Sequence, residues 1–184
     1  MQHIIIGAGI VGACTAYYLS QKKENEVVLI DGELEGKATS AGAGIICPWV
    51  DDNENVKKFN LMNKGAEYYP SLINSLEKIG EDDTGYKKTG ALVTNENLES
   101  LYILKEKLKY LSKSFSMIGD LEMFKAPTAK FYFPPIDESL HTLYISGGAR
   151  LDGKLLNKSL INGFKKMAVP TFKAKQLFII QMEL

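Results

Sequence analysis

The stretch IIIGAGIVGACTAYYL, residues 4–19, decides the fold. An apolar run leads into glycines at 7, 9 and 12 and then into a segment whose Val11, Ala13, Cys14, Tyr17, Tyr18 and Leu19 form a broad apolar stripe. The pattern predicts a buried strand over 3–6 and a helix over 10–22. A second β-rich run, EVVLID at 26–31, follows at once. Strand, glycine turn, helix and strand in this order make a βαβ unit, whose parallel strands take a right-handed crossover.

The turn has the spacing GxGxxG at Gly7, Gly9 and Gly12. In a Rossmann-like layer the first glycine permits the tight bend, the second lets a diphosphate approach the backbone, and the third lets helix and strand pack closely. Amides around Ile10 and Val11 are then expected to face the phosphates, where the positive end of the helix dipole favours negative charge. Asp31, followed by Gly32, ends the second strand about 20 residues past Gly12, where an acid accepts hydrogen bonds from an adenosine ribose. Without a ligand, the same residues would read as a glycine-rich turn and a solvated aspartate. The fingerprint leaves the choice between FAD and NAD open.

Composition narrows the classes. The chain has 184 residues, 45% of them hydrophobic and 24% charged, with a formal net charge of zero. Acids and bases are interspersed, so no nucleic-acid surface is expected. Arg150 is the only arginine, which leaves little for a bidentate clamp on a carboxylate or phosphate. Cys14 and Cys47 lack the spacing of a disulfide scaffold or a metal site, and a reducing cytoplasm is the simplest setting. The apolar start is broken by glycines well short of a membrane span and lacks the basic flank of a signal peptide, so neither is expected.

Farther along, GKATSAGAGIICPWV at 36–50 reads as a loop built for close backbone approach. Helical spacing returns over 56–79, with Pro70 as a kink or boundary. GALVT at 90–94 predicts a strand and 96–114 a charged helix. KFYFPPIDESLHTLYISGG at 130–148 reads as two extended pieces around a Pro-Pro turn. Residues 151–167 predict a helix with Leu155, Leu156, Leu160, Ile161 and Phe164 on one face, and 171–180 a third parallel strand. The expected architecture is α/β: a discontinuous dinucleotide domain of residues 1–50 and 148–184 around a helical segment and partial α+β lobe at 51–147.

The segment GKATSAGAGII at 36–46 resembles the second flavin-contacting stretch of FAD-dependent oxidoreductases of the D-amino-acid oxidase and glycine oxidase type. GAEYYPSLI at 65–73, GYKKTGALVT at 85–94 and ISGGARLDGKLLNKSL at 145–160 follow in that family's order. The resemblance implies FAD as cofactor, with Ala38, Thr39 and Ser40 near its phosphate and ribityl part and Ala43, Gly44 and Ile45 near the ring. It also implies a small amino acid or amine as substrate, oxidised by hydride transfer to the flavin. Family members are roughly twice as long, so the chain is expected to be an amino-terminal portion, with room for self-association or a partner chain that completes the sheet.

Other conspicuous residues read as structural. Core packing suits Cys14, Cys47, Trp49, Tyr68 and Tyr69, and neither His3 nor His141 sits in a triad or metal pattern. Two alternatives stay open at this point: an FAD-binding module without catalysis, and an NAD-dependent dehydrogenase.

Overall fold

The computed structural model describes residues 1–32, 38–51, 55–167 and 177–180. The chain divides into two compact units, one of Met1–Gly44, Ser71–Tyr86 and Leu151–Leu184, the other of Ile45–Pro70 and Lys87–Arg150. Residues 71–86 therefore pack with the opening βαβ segment although they lie far from it in sequence.

In the first unit, β1 (Gln2–Ile6) and β2 (Glu26–Gly32) are parallel, with Ile4 opposite Val28 and Ile6 opposite Ile30. Helix α1 (Ile10–Ser20) connects them. A third parallel strand, β9 (Leu177–Ile180), pairs with β2 on its other edge, giving the order β1, β2, β9. Residues 171–176 of the expected strand lie outside the described residues. The return helix α5 (Gly153–Met167) packs against α1. Its Phe164 joins Ala8, Ala16, Val27 and Leu29 in a buried cluster flanked by Ile5, Leu19 and Ile161. Burying a phenylalanine here stabilises the fold by about 1.5–3 kcal/mol. The two helices approach closely because a Cβ at Gly163 would lie 2.9 Å from the Tyr17 ring.

The second unit carries an antiparallel sheet of β5 (Ala91–Asn95), β7 (His141–Ile145) and β6 (Leu121–Phe124), in that order. Helix α4 (Leu98–Leu111) begins at Asn97, whose Oδ1 accepts from the amides of Glu99 at 2.9 Å and Ser100 at 3.3 Å. Leu101 and Leu108, two turns apart, are its buried residues. A smaller sheet joins β3 (Ile45–Ile46), β8 (Ala149–Arg150) and β4 (Lys87–Lys88). Helix α3 (Val56–Glu77) runs through Pro70 without ending there, and the division between the two units falls at that proline.

Two expectations are corrected. The stretch at 36–50 is not all loop: Ala38–Ala41 form one helical turn, α2, and Ile45–Ile46 the strand β3. The aromatic run at 130–133 is not extended either. Thr128–Phe131 form a 3-10 turn, and Tyr132 stacks on Phe124 at 4.7 Å between ring centroids. A β-prone composition yields to that ring contact.

Residues 79–83 are tied to α5. Lys166 Nζ lies 2.6 Å from Glu81 Oε1 and donates to the Ile79 carbonyl at 2.9 Å, while Asn162 Nδ2 donates to Glu81 Oε2 at 3.0 Å. Burial raises the Glu81 carboxyl, but the bonds from Lys166 and Asn162 and the charges of Lys166 and Lys158 outweigh it and hold it below its ordinary value. A carboxylate lowered on folding adds stability above its unfolded pKa of about 4.3, and that stability is lost as pH falls through the lower folded value. Glu81→Gln is expected to cost about 0.5–1 kcal/mol at pH 7. The gap to the unsubstituted protein should close on acidification in urea melts; a gap constant down to the acid limit would contradict the assignment.

Candidate functional site

The expected site residues other than Ile45 lie in the first unit, and several are brought together there. Gly7 has φ of +96°, a conformation that side chains rarely adopt. A Cβ on Gly12 would come within 1.8 Å of the Gly7 carbonyl oxygen, so α1 rests directly on the backbone of the turn. The turn is then pinned from four places: Gly7 N–H donates to the Ile30 carbonyl at 2.7 Å, Ala8 N–H to Asp31 Oδ1 at 2.9 Å, Ile10 N–H to Thr39 Oγ1 at 3.0 Å, and Asn157 Nδ2 to the Ala8 carbonyl at 3.0 Å.

These bonds change the division of labour expected from the sequence. The Ile10 amide is engaged by Thr39, which holds α2 against the head of α1, and one Asp31 oxygen secures Ala8. The amides of Val11 and Gly12 have no partner among the described residues. No acid stands in the first turn of α1. Two unpaired amides at the positive end of an eleven-residue helix suit a phosphate. Gly9 is extended, with φ −67° and ψ 179°, and with Thr39, Ser40, Lys154, Asn157 and Lys158 it lines a cavity of about 420 Å³. The donors and the open backbone fit a dinucleotide diphosphate.

The remaining residues are placed as follows. Gly32 closes β2, opposite Ile180. Ala38 opens α2, Ser40 is exposed within it, and Ala43 is exposed beyond it. The Gly44 carbonyl accepts from Leu151 N–H at 2.9 Å, which fastens the end of this segment to the start of the return path. Ile45 belongs to the second unit, on β3 opposite Arg150, and is 74% exposed. Reading the sequence alone missed Lys154, Asn157 and Lys158, because lysines one turn apart on an amphipathic helix look like a solvated face.

The second unit has a cavity of about 460 Å³ lined by Ile45, Cys47, Val50, Met62, Ala66 and Tyr69. Burial pushes the Cys47 thiol up to about 11 against a weaker opposing pull from Trp49, so it stays protonated at neutral pH and unreactive. Trp49 is 1% exposed and belongs to the core. His141 Nδ1 accepts from the Ala126 amide at 3.0 Å, and His3 Nε2 pairs with Asn25 Oδ1 at 3.2 Å, both structural contacts. Among the described residues no group of acids, histidines and cysteines could hold a metal, and no helix is long and apolar enough to cross a membrane.

Fold and turn together define a dinucleotide-binding α/β protein. The family description "FAD dependent oxidoreductase" matches residues 2–176, and the chain belongs to that family, whose cofactor is FAD. It is 37% identical over 179 residues to the uncharacterized oxidoreductase YurR of Bacillus subtilis, a match covering 97% of this chain and 48% of that protein. Among solved structures, iminodiacetate oxidase from Chelativorans sp. BNC1 is similar with a TM-score of 0.85 and 37% identity over 91% of this chain and 45% of that one. Glycine oxidase from Bacillus cereus shares the fold, with a TM-score of 0.72 at 20% identity over 89% of this chain and 44% of that one. The chain spans about half the length of the curated relative it matches along most of its course.

Thr39 is the residue through which α2 meets the turn. Thr39→Val keeps the shape and leaves the Ile10 amide without its acceptor, which is expected to cost about 1 kcal/mol in urea unfolding. Thr39→Ser should restore most of it; equal losses in both variants would mean that the hydroxyl contributes nothing.

Proposed function

We propose that this chain binds FAD at the glycine turn and takes part in oxidising a small amino acid or amine. The observation that carries the reading is the pair of amides, Val11 and Gly12, that have no partner among the described residues, beside a backbone kept open at Gly9. Family membership supports FAD over NAD. The likeness to iminodiacetate oxidase at 37% identity favours a substrate with nitrogen next to a carboxymethyl group.

When bound, the flavin supplies an acceptor for the hydride that leaves the carbon beside the substrate nitrogen, and water hydrolyses the resulting imine. The chain's own residues orient and hold. Val11 and Gly12 amides take the phosphates, Asp31 and Gly32 border the ribose, Ala38, Thr39 and Ser40 flank the diphosphate and ribityl part, and Ala43, Gly44 and Ile45 leave room for a planar ring. The Gly7–Gly12 contact keeps those amides fixed before the ligand arrives, which lowers the ordering cost of binding.

Gly9→Val separates binding from folding. The backbone at Gly9 accepts any residue, and a Cβ there meets Thr39 Oγ1 at an ordinary 3.4 Å, so the fold should persist. The added methyl groups enter the phosphate cavity, and FAD affinity measured by flavin fluorescence should fall at least tenfold. Full affinity in the variant would refute the site. Anaerobic bleaching of bound flavin by glycine, sarcosine or iminodiacetate tests the activity; flavin that stays oxidised with all three would favour a binding module without catalysis.

The open side of the β1–β2 pair supports a further element of this reading. Ile4 is 64% and Ile6 84% exposed, on the face opposite the buried cluster. Parallel sheets ordinarily have both faces covered. A polypeptide equivalent to the rest of the longer relatives is the proposed covering layer. Adding a separately produced carboxy-terminal half of the B. subtilis relative should yield a complex on size exclusion that Ile4→Asp/Ile6→Asp abolishes; self-association of this chain alone through the same face would overturn that choice of partner.

A further inference from the structure

The cavity beside Gly9 has a second wall that the glycine turn does not explain. It is one face of α5, presenting Lys154, Asn157, Lys158, Ile161, Asn162 and Lys165. Among the described residues three ammonium groups line it and no carboxylate does. Asp152, the nearest acid in sequence, turns its Oδ1 onto the amides of Lys154 at 2.8 Å and Leu155 at 3.1 Å, capping its own helix. Among the described residues the side chains of Lys154 and Lys165 form no ion pair, and Lys158 forms no direct one, although its charge reaches Glu81. Like charges gathered along one helix face repel, and a bound anion removes that cost.

Asn157 gives an independent sign of a ligand. Its Nδ2 is spent on the Ala8 carbonyl, while its Oδ1 is buried and has no hydrogen-bond partner. Leaving a buried acceptor unpaired costs about 1–3 kcal/mol, so such an oxygen calls for a donor. Cationic groups and an unpaired acceptor on one wall describe a ligand that carries phosphate and a neighbouring hydroxyl.

On the basis of the FAD reading above, we propose that α5 forms the second half of the diphosphate site. Lys154 and Lys158, one turn apart, neutralise the phosphates that the Val11 and Gly12 amides receive, and Asn157 between them holds the turn in place through the Ala8 carbonyl. Lys165 lies eleven residues beyond Lys154, about 16 Å along the helix axis, and belongs to the outer rim. The shared chemistry, a diphosphate flanked by hydroxyls, also occurs in free nucleoside diphosphates.

The test is titration of the full chain with FAD at several salt concentrations, comparing it with Lys154→Ala/Lys158→Ala. Both lysines are exposed, so urea midpoints should shift only slightly, through the loss of the Lys158 charge near Glu81. The double variant is expected to bind FAD at least tenfold more weakly, with a shallower rise of Kd with salt, while riboflavin, which has no phosphate, binds both proteins alike. Equal FAD affinity and equal salt dependence would overturn the role of α5 and leave the FAD reading standing. No saturable FAD binding by the unsubstituted chain would overturn both. ADP that binds the FAD-saturated protein in a lysine-dependent manner would assign the wall to a separate nucleotide and also overturn the proposal.

Discussion

The structure of the first unit depends on a backbone contact that no side chain could replace. Helix α1 sits on the Gly7 carbonyl because Gly12 has no Cβ, and any other residue would push the helix off the turn. Once α1 is seated, the turn becomes a junction for distant segments. Asp31 from the end of β2, Thr39 from α2 and Asn157 from α5 all bond to main-chain groups between Ala8 and Ile10. Three bonds on one short loop cost little extra entropy, since the glycine contact has already fixed its conformation. The amides of Val11 and Gly12, without a partner among the described residues, are then held in place.

This explains how much could be read from the sequence. The β1–α1–β2 unit was legible because its signals are local: β-branched runs, a glycine spacing and an apolar stripe. Helix α5 was legible for the same reason. The two-residue strands β3, β4 and β8 were not, because nothing in Lys87–Lys88 or Ala149–Arg150 encodes pairing except the partner strand. The run at 130–133 misled because three aromatics in a row favour a strand, whereas Tyr132 gains more by stacking between Phe124 and Tyr144. In the candidate site, Thr39 stands out in the sequence only through a resemblance, and its bond to the Ile10 amide needs three dimensions to be seen. Lys154 and Lys158 were hidden for the opposite reason: their pattern is ordinary, and only the proximity of Gly9 gives it meaning.

The charge economy follows from the arginine count. With Arg150 as the lone arginine, and that residue on β8 of the second unit, anion recognition in the first unit falls to amides and lysines. Amides supply direction and lysines supply charge without fixed geometry. In the proposed site the turn would set where a phosphate sits, and the lysine face would set how strongly it is held in dilute salt.

Two deficits in the first unit remain, and they lie on different sides of its sheet. Successive residues of a strand point to opposite faces, so Ile5, Val27 and Leu29 turn toward α1 and α5 while Ile4, Ile6, Val28 and Ile30 turn away. The first face is packed and bordered by the cation-lined cavity; the second exposes aliphatic side chains. An anion answers one deficit and an apolar layer the other, and neither can substitute for its counterpart. The residues that would grip a diphosphate are anchored to the packed face, through the Gly12 contact and the buried Phe164 cluster. Their geometry therefore does not wait on whatever covers Ile4 and Ile6, so the proposed cofactor site and the proposed covering layer can be tested separately.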